Sequence, residues 1–391
     1  KCIEANEIDG MGVARQFLVD SHWVTKLLNG EENDIESQEG KILVQSKNTA
    51  NIKTITGAIA VSVGAGAGGA SINSIVYNND VKATIEGVNV KTKKDIELSA
   101  ISNENIMSIA VGGAGGTGIA ASGSINTIIL DTDVAAHIKD SEIESSEENV
   151  IVNAEGTTNL SGGAGNANIS MGAMALGASV VTGIINNAVL AQIENSKVKA
   201  KKNVIVSATE NENIGSESSP FITAAGGYAQ GLNVEGAVDT LILNGSSTAL
   251  VSGTKTIENI VYGIEAGNDV SILANSSNTI YTGLGGAGTS TAVGVGAAVN
   301  TILVDKKTTA IAENTKINAN NIDIEATEQD DFFTTAVAAS GAGVGGASGI
   351  INTNIIKSNV QAGIKNSVLF ANNLSSNATA LAKLQTITGG L

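Results

Sequence analysis

The sequence predicts an all-β fold, a parallel β-solenoid built from repeats of about 54 residues, and three observations carry that prediction. Equivalent segments open at Asn51, Asn105, Asn159 and Asn213, so three successive spacings are identical. A constant period of that length marks stacked repeats. The second half of each unit alternates apolar and polar residues between brief polar turns, the pattern of half-buried strands. Composition agrees: of 391 residues 42% are hydrophobic, 46 are Gly, one is Pro and 3% are aromatic. Such a core of Ile, Val, Ala and Gly is narrow and regular.

Residues 1–50 hold unusual bulk in Phe17, His22 and Trp23. Val13, Phe17, Val24, Leu27 and Leu28 could form an amphipathic helix ended by Asn29-Gly30. Residues 24–30, however, align with residues 81–87, and residues 40–46 with residues 95–100. A degenerate or partial first repeat is therefore preferred for 1–50, followed by solenoid repeats over 51–391 with units starting near 51, 105, 159, 213, 279 and 331. The chain opens inside a repeat-like pattern and stops without a polar cap, so it reads as a fragment of a longer protein.

Each unit begins with a small-residue run, as in residues 57–70, passes through an Asn-Thr-Ile or Asn-Ser-Ile step, and ends in two alternating segments. Residues 136–144 and 191–199 exemplify the first segment, and residues 149–154 and 203–208 the second. Turns this short leave no room for crossover helices, so each strand must pair with its counterpart in the next unit. Ile85, Val90, Ile96 and Leu98 are expected inward, with their counterparts Ile138, Ile143, Val150 and Val152. We expect three coils of about 18 residues per unit, each rising ~4.8 Å, and hence a rod on the order of 100 Å long.

The fourth unit, residues 213–278, exceeds its predecessors by about 12 residues, a surplus that we place near residues 253–263, where other units have a brief turn. Insertions in solenoids fall on loops, often on a functional face. Thr254, Glu258 and Tyr262 are accordingly the candidate contact loop, an aromatic among polar groups, set against the plainer reading of a tolerated surface insertion.

Charge and motifs exclude several classes. The 22 basic against 38 acidic residues give a net charge of −16, which repels phosphate backbones and makes nucleic acid an unsuitable partner. Cys2 is the sole cysteine, so no intramolecular disulfide forms. Residues 64–69 match G-x-G-x-x-G, but no helical pattern follows and related glycine runs return in later units, so close backbone packing replaces the nucleotide reading. The glycine runs carry no aspartate for a calcium β-roll. No cofactor, metal site or catalytic set is expected. His137 occupies the slot of Thr84 and Gln192, an outward polar position. Asp140 with Glu142, or Glu147 with Glu148, could serve a glycosidase or lyase, yet they sit in ordinary strand and turn positions where solvated charge is the default. Five long stretches lack any charged residue, the longest spanning residues 156–193. These read as buried or flat solenoid coils, with insertion into a target membrane after unfolding as the alternative.

The recurrent Gly/Ala run, then Asn-Thr-Ile (Asn126-Thr127-Ile128, Asn300-Thr301-Ile302), then a strand pair ending Val-Ile-Val-x-Ala, resembles the large repetitive exoproteins of Gram-negative bacteria. Within that group the pattern looks most like the fusobacterial leukotoxin, haemagglutinin-like adhesins and autotransporter passengers. The resemblance implies a right-handed parallel β-helix, exported through an outer-membrane transporter and secreted or displayed on the bacterial surface. It implies action on host cells, as a cytotoxin on leukocytes or alternatively as an adhesin binding a host receptor or a structural spacer. A polysaccharide lyase or hydrolase is the more distant alternative. The likeness supplies no functional residue.

Overall fold

The computed structural model describes residues 15–16, 34–37, 40–253 and 263–391, and the described residues form an all-β parallel solenoid without a helix. One complete coil is made of the strands Ile96–Gly116, Ile119–Lys139 and Glu142–Ser145. The chain then turns through residues 146–149 into Val150–Ser170, which lies in parallel register with Ile96–Gly116, residue i against residue i+54. Seven coils contribute to a first long sheet and a short sheet, and six to a second long sheet. The only antiparallel pairing among the described residues is that of Arg15 and Gln16 with Gln45 and Val44.

One repeat unit is thus one coil, which corrects the expectation of three coils per unit. The reason is that the Gly/Ala runs are strand. Alternation of burial continues through them, and they pair residue for residue with the coils on either side. Strands of 21 residues span roughly 70 Å at ~3.3 Å per residue, whereas seven strands stacked ~4.8 Å apart rise only about 30 Å. The molecule is therefore a flat slab, and the long rod expected from smaller coils is corrected with them. Asn51, Asn105, Asn159, Asn213, Thr279 and Asp331 form one column of the first long sheet.

Three corners close each coil, and each has its own chemistry. Between the second long sheet and the short sheet, Gly87, Asp140, Asn195, Asn314 and Asn366 all take positive φ, between 47° and 66°. Gly, Asn and Asp are the residues that tolerate this conformation. Ser141, Ser196 and Ser367 follow, and their hydroxyls bond back to the carbonyls of Lys139, Glu194 and Lys365. Between the short sheet and the next coil a ladder climbs the stack: Asn149 Nδ2 donates to Asp95 Oδ1 at 3.0 Å, the Asn203 amide to Asn149 Oδ1 at 3.1 Å, and Asn321 Nδ2 to Asp269 Oδ1 at 2.6 Å. The third corner is a two- or three-residue turn at the thin edge of the slab, such as Thr117-Gly118.

The inward residues are as the alternation predicts. Ile85 and Val90 are buried, and Ile96, Leu98, Ile138, Ile143, Val150 and Val152 are each 0% exposed. The largest apolar cluster fills the end of the slab beside the short sheet, a second centred on Ile106, Ile128, Leu160 and Phe221 fills the middle, and a small one of Ala225, Ala237, Ala298 and Ala336 lies toward the thin edge. There a Cβ on Gly286 or Gly288 would overlap the carbonyls of Ala297 and Val295 in the facing sheet. Close approach of two backbones is what the glycine runs provide.

The surplus of the fourth coil is divided, which corrects its placement at 253–263 alone. The register offset to the preceding coil is 54 up to Ile214, 59 from Ile222, 58 from Leu232 and 66 from Gly263. A second excursion at residues 215–220 thus interrupts the first long sheet. It holds the only proline, Pro220, which cannot donate to the ladder and stands just before the strand Phe221–Ala229 resumes. On the neighbouring strand Gly162 and Gly163 answer it with φ of 121° and 145°, and a Cβ on Gly163 would overlap the Ile222 carbonyl.

Candidate functional site

The candidate contact residues Thr254, Glu258 and Tyr262 lie outside the described residues. The flanking Ser252 ends a strand of the second long sheet and Gly263 begins one of the short sheet. Other candidates are on solvated surface. Asp140 is a positive-φ corner residue. Glu142 pairs with Lys197 at 2.8 Å, and this hydrogen bond lowers the carboxyl below its ordinary range and raises the lysine. Glu147 pairs with Lys94 and Glu148 with Lys202. Half-buried His137 stands 3.1 Å from Glu194 Oε2 on the adjacent coil. Asn78, Asn79, Asp80, Asp131 and Asp133 line an open surface hollow of about 220 Å³. No group of three or more His, Cys, Asp or Glu with metal-holding geometry occurs among the described residues.

The densest chemistry is inside the slab, at positions that the sequence analysis does not single out. Strand parity places Glu210 and Glu212 on the same side as Val204, Val206 and Ala208, and both are buried. From the facing sheet Lys306, also buried, reaches Glu210 Oε1 at 2.7 Å and Glu212 Oε1 at 2.8 Å. Gly245 is the register partner of Lys306 on the preceding coil. A Cβ there would strike both the Glu210 carboxylate and Lys306 Nζ, so glycine opens the path of the lysine.

This cluster belongs to a polar belt running up the stack. On the first long sheet Glu104, Thr158, Glu212, Asn278 and Asp330 form one column, and Ser102, Gly156, Glu210, Ser276 and Glu328 another. Asn79, Thr132, Asn187, Gly245 and Lys306 face them. Thr132 donates to Glu104 at 2.7 Å, Asn187 to Glu212 at 2.6 Å, Asn278 to Asp330 at 2.7 Å and Thr308 to Glu328 at 3.0 Å. Buried polar groups need such partners.

Charge balance in the belt follows from burial. Desolvation pushes Glu212 up to about 7, against the pull of Lys306 and with a further push from Glu210. Its Oε2 has no hydrogen-bond partner. Burial likewise raises Glu328 and Asp330. Burial alone would depress Lys306, but Glu212 and Glu210 outweigh it and the ammonium is held above its ordinary value. Nearer the thin edge, desolvation lifts Glu235 to about 7, offset in part by Asn168 Nδ2 at 3.1 Å, and lifts Asp239 to about 7 as well. The Thr240 backbone amide offsets the rise at Asp239 only in part, and neither of its oxygens has a well-formed hydrogen bond. These groups are sealed from solvent inside the slab.

Compared with known proteins, the chain matches no family, no curated protein and no solved structure.

Proposed function

We propose that this chain is the β-solenoid segment of a secreted or surface-displayed bacterial exoprotein, exported through an outer-membrane transporter, that acts without enzymatic chemistry by contacting the host-cell surface. The observation carrying this reading over a membrane-inserting cytotoxin is the state of the uncharged runs. Residues 156–193 lie almost wholly within Val150–Ser170 and Met174–Glu194, and these strands are paired with the coils on both sides. Releasing such a run would strand backbone hydrogen-bonding groups on the neighbouring coils as well. A broad sheet surface, interrupted by the excursion at 215–220, suits recognition of a protein or glycan receptor.

The test is to add the protein to dye-loaded leukocytes and measure binding and dye release together. Saturable binding without release is expected, and deletion of residues 255–263 is expected to weaken it if Thr254, Glu258 and Tyr262 mark the contact. Dye release at the concentrations that saturate binding would restore the cytotoxin reading. Absence of binding would leave a spacer.

A further inference from the structure

The outer face of the second long sheet has an order that neither the repeat period nor the surface-binding reading explains. Ser74, Thr127, Thr182, Thr240, Thr301 and Thr353 form one column up the stack. On one side stands the column Ile72, Ile125, Val180, Val238, Val299 and Ile351, and on the other Val76, Ile129, Ile184, Ile242, Leu303 and Ile355. All three point outward, since the alternate residues Asn73, Asn126, Val181, Asp239 and Asn300 are buried. Ile72 and Val76 are 68% and 66% exposed in the first coil, and Ile125, Ile351 and Ile355 are also exposed.

The surrounding region carries no exposed charge. From the Ile55 column of the first long sheet, round the thin edge to the Val76 column, the six coils contribute residues 54–77, 108–130, 162–185, 221–243, 282–304 and 334–356. Their only charged residues are Glu235 and Asp239, both buried. Every exposed large hydrophobic residue described before Ile364 falls in these windows. Charge returns in the next column, with Asp131, Asp305 and Lys357.

We infer that this aliphatic–threonine–aliphatic face is a self-docking surface, on which a second copy of the chain stacks sheet against sheet. The pattern is symmetric about the threonine column. An in-plane two-fold along that column therefore sets each aliphatic column against an aliphatic column and threonine opposite threonine, the self-complementarity an isologous dimer needs. Aliphatic pairs and Thr–Thr pairs are favourable across such surfaces. The size suffices: about 12 residues of strand by six rungs is roughly 40 Å by 24 Å, or ~1,000 Å², against ~800 Å² per partner for a standard interface. The choice of occupant rests on charge as well. Two chains of net charge −16 repel, and only a charge-free face lets them meet without burying unpaired carboxylates. This inference does not depend on host-cell binding.

Sedimentation equilibrium of the full chain, without cells or lipid, tests it. A dimer is expected, with the dissociation constant raised at least ~100-fold by Thr182→Lys/Thr240→Lys, which would bury two charges, and unchanged by Asn211→Lys/Thr279→Lys on the opposite sheet. A second measurement does not rely on disruption: in a Cys2→Ser background, Thr240→Cys is expected to give a covalent dimer with a short bismaleimide, since the threonine columns oppose one another across sheets ~10 Å apart. A wild-type chain that stays monomeric at about 100 µM, a dimer insensitive to the two lysines, or no cross-link through position 240 would each overturn the inference. So would a monomer that co-floats with phosphatidylcholine vesicles, which would assign the face to lipid.

Discussion

Lys306→Met is expected to lower stability by about 3–5 kcal/mol, because it leaves the carboxyls of Glu210 and Glu212 buried without their cation. Lys306 Nζ is the only buried ammonium among the described residues, and it is shared at 2.7 and 2.8 Å. Removing charge on both sides separates this cause from lost packing. In Lys306→Met/Glu210→Gln/Glu212→Gln this three-residue cluster is neutral and keeps its Ser276 and Asn187 neighbours, so most of the loss is expected to return. Urea midpoints of the three chains measure this. A single variant within ~1 kcal/mol of the parent would show that water or protonation already relieves the site.

The second large effect is on pH. Glu212, Glu235 and Asp239 have folded values near 7 against ordinary values of 4.5, 4.5 and 3.8. A raised carboxyl means that the folded state holds its proton more tightly than the unfolded chain. Its contribution is therefore most favourable below about pH 4, is lost as pH rises toward 7, and is flat above. At ~1.4 kcal/mol per unit each group costs on the order of 3–4 kcal/mol across that window. The melting midpoint should fall as pH is raised from 5 to 8. Asp239→Asn isolates one group: its column already holds Asn126, Asn300 and Asn352, so the amide fits an existing ladder. Stabilisation at pH 8 with little change at pH 4 is expected. A variant equally affected at both values would remove the carboxyl as the cause.

The repeat made the architecture legible before the cross-section was known. The constant spacing located the column of Asn51, Asn105 and Asn159, and alternation put Ile138 and Val150 inside, because burial on one side of a strand leaves a period-two record. Coil size was not legible. A glycine run can be a turn or a strand with a close neighbour, and only the facing carbonyls of Ala297 and Val295 decide between them. The excursion at 215–220 was hidden because a surplus between two repeat origins gives a total and no position. The internal charges left a signal: in Val204–Ile214 the parity that buries Val206 and Ala208 also buries Glu210 and Glu212. The cation answering them, Lys306, stands far along the chain from Glu210, on the facing sheet, and no spacing along the sequence connects the two.

The central claim, one coil per repeat unit, is tested most directly by a cross-link between neighbouring coils. Asn159 Nδ2 lies 3.0 Å from Asn105 Oδ1 on adjacent strands of the outer face. In a Cys2→Ser background, Asn105→Cys/Asn159→Cys is expected to oxidise readily to an intramolecular disulfide, with Cα atoms about one strand spacing apart. Asn105→Cys/Gly123→Cys, whose positions lie on different long sheets, should not. In a stack of coils of about 18 residues, positions 105 and 123 would instead be neighbours, and positions 105 and 159 three strands and ~14 Å apart, beyond disulfide reach. Oxidation of the 105–123 pair in place of the 105–159 pair would contradict the one-coil unit.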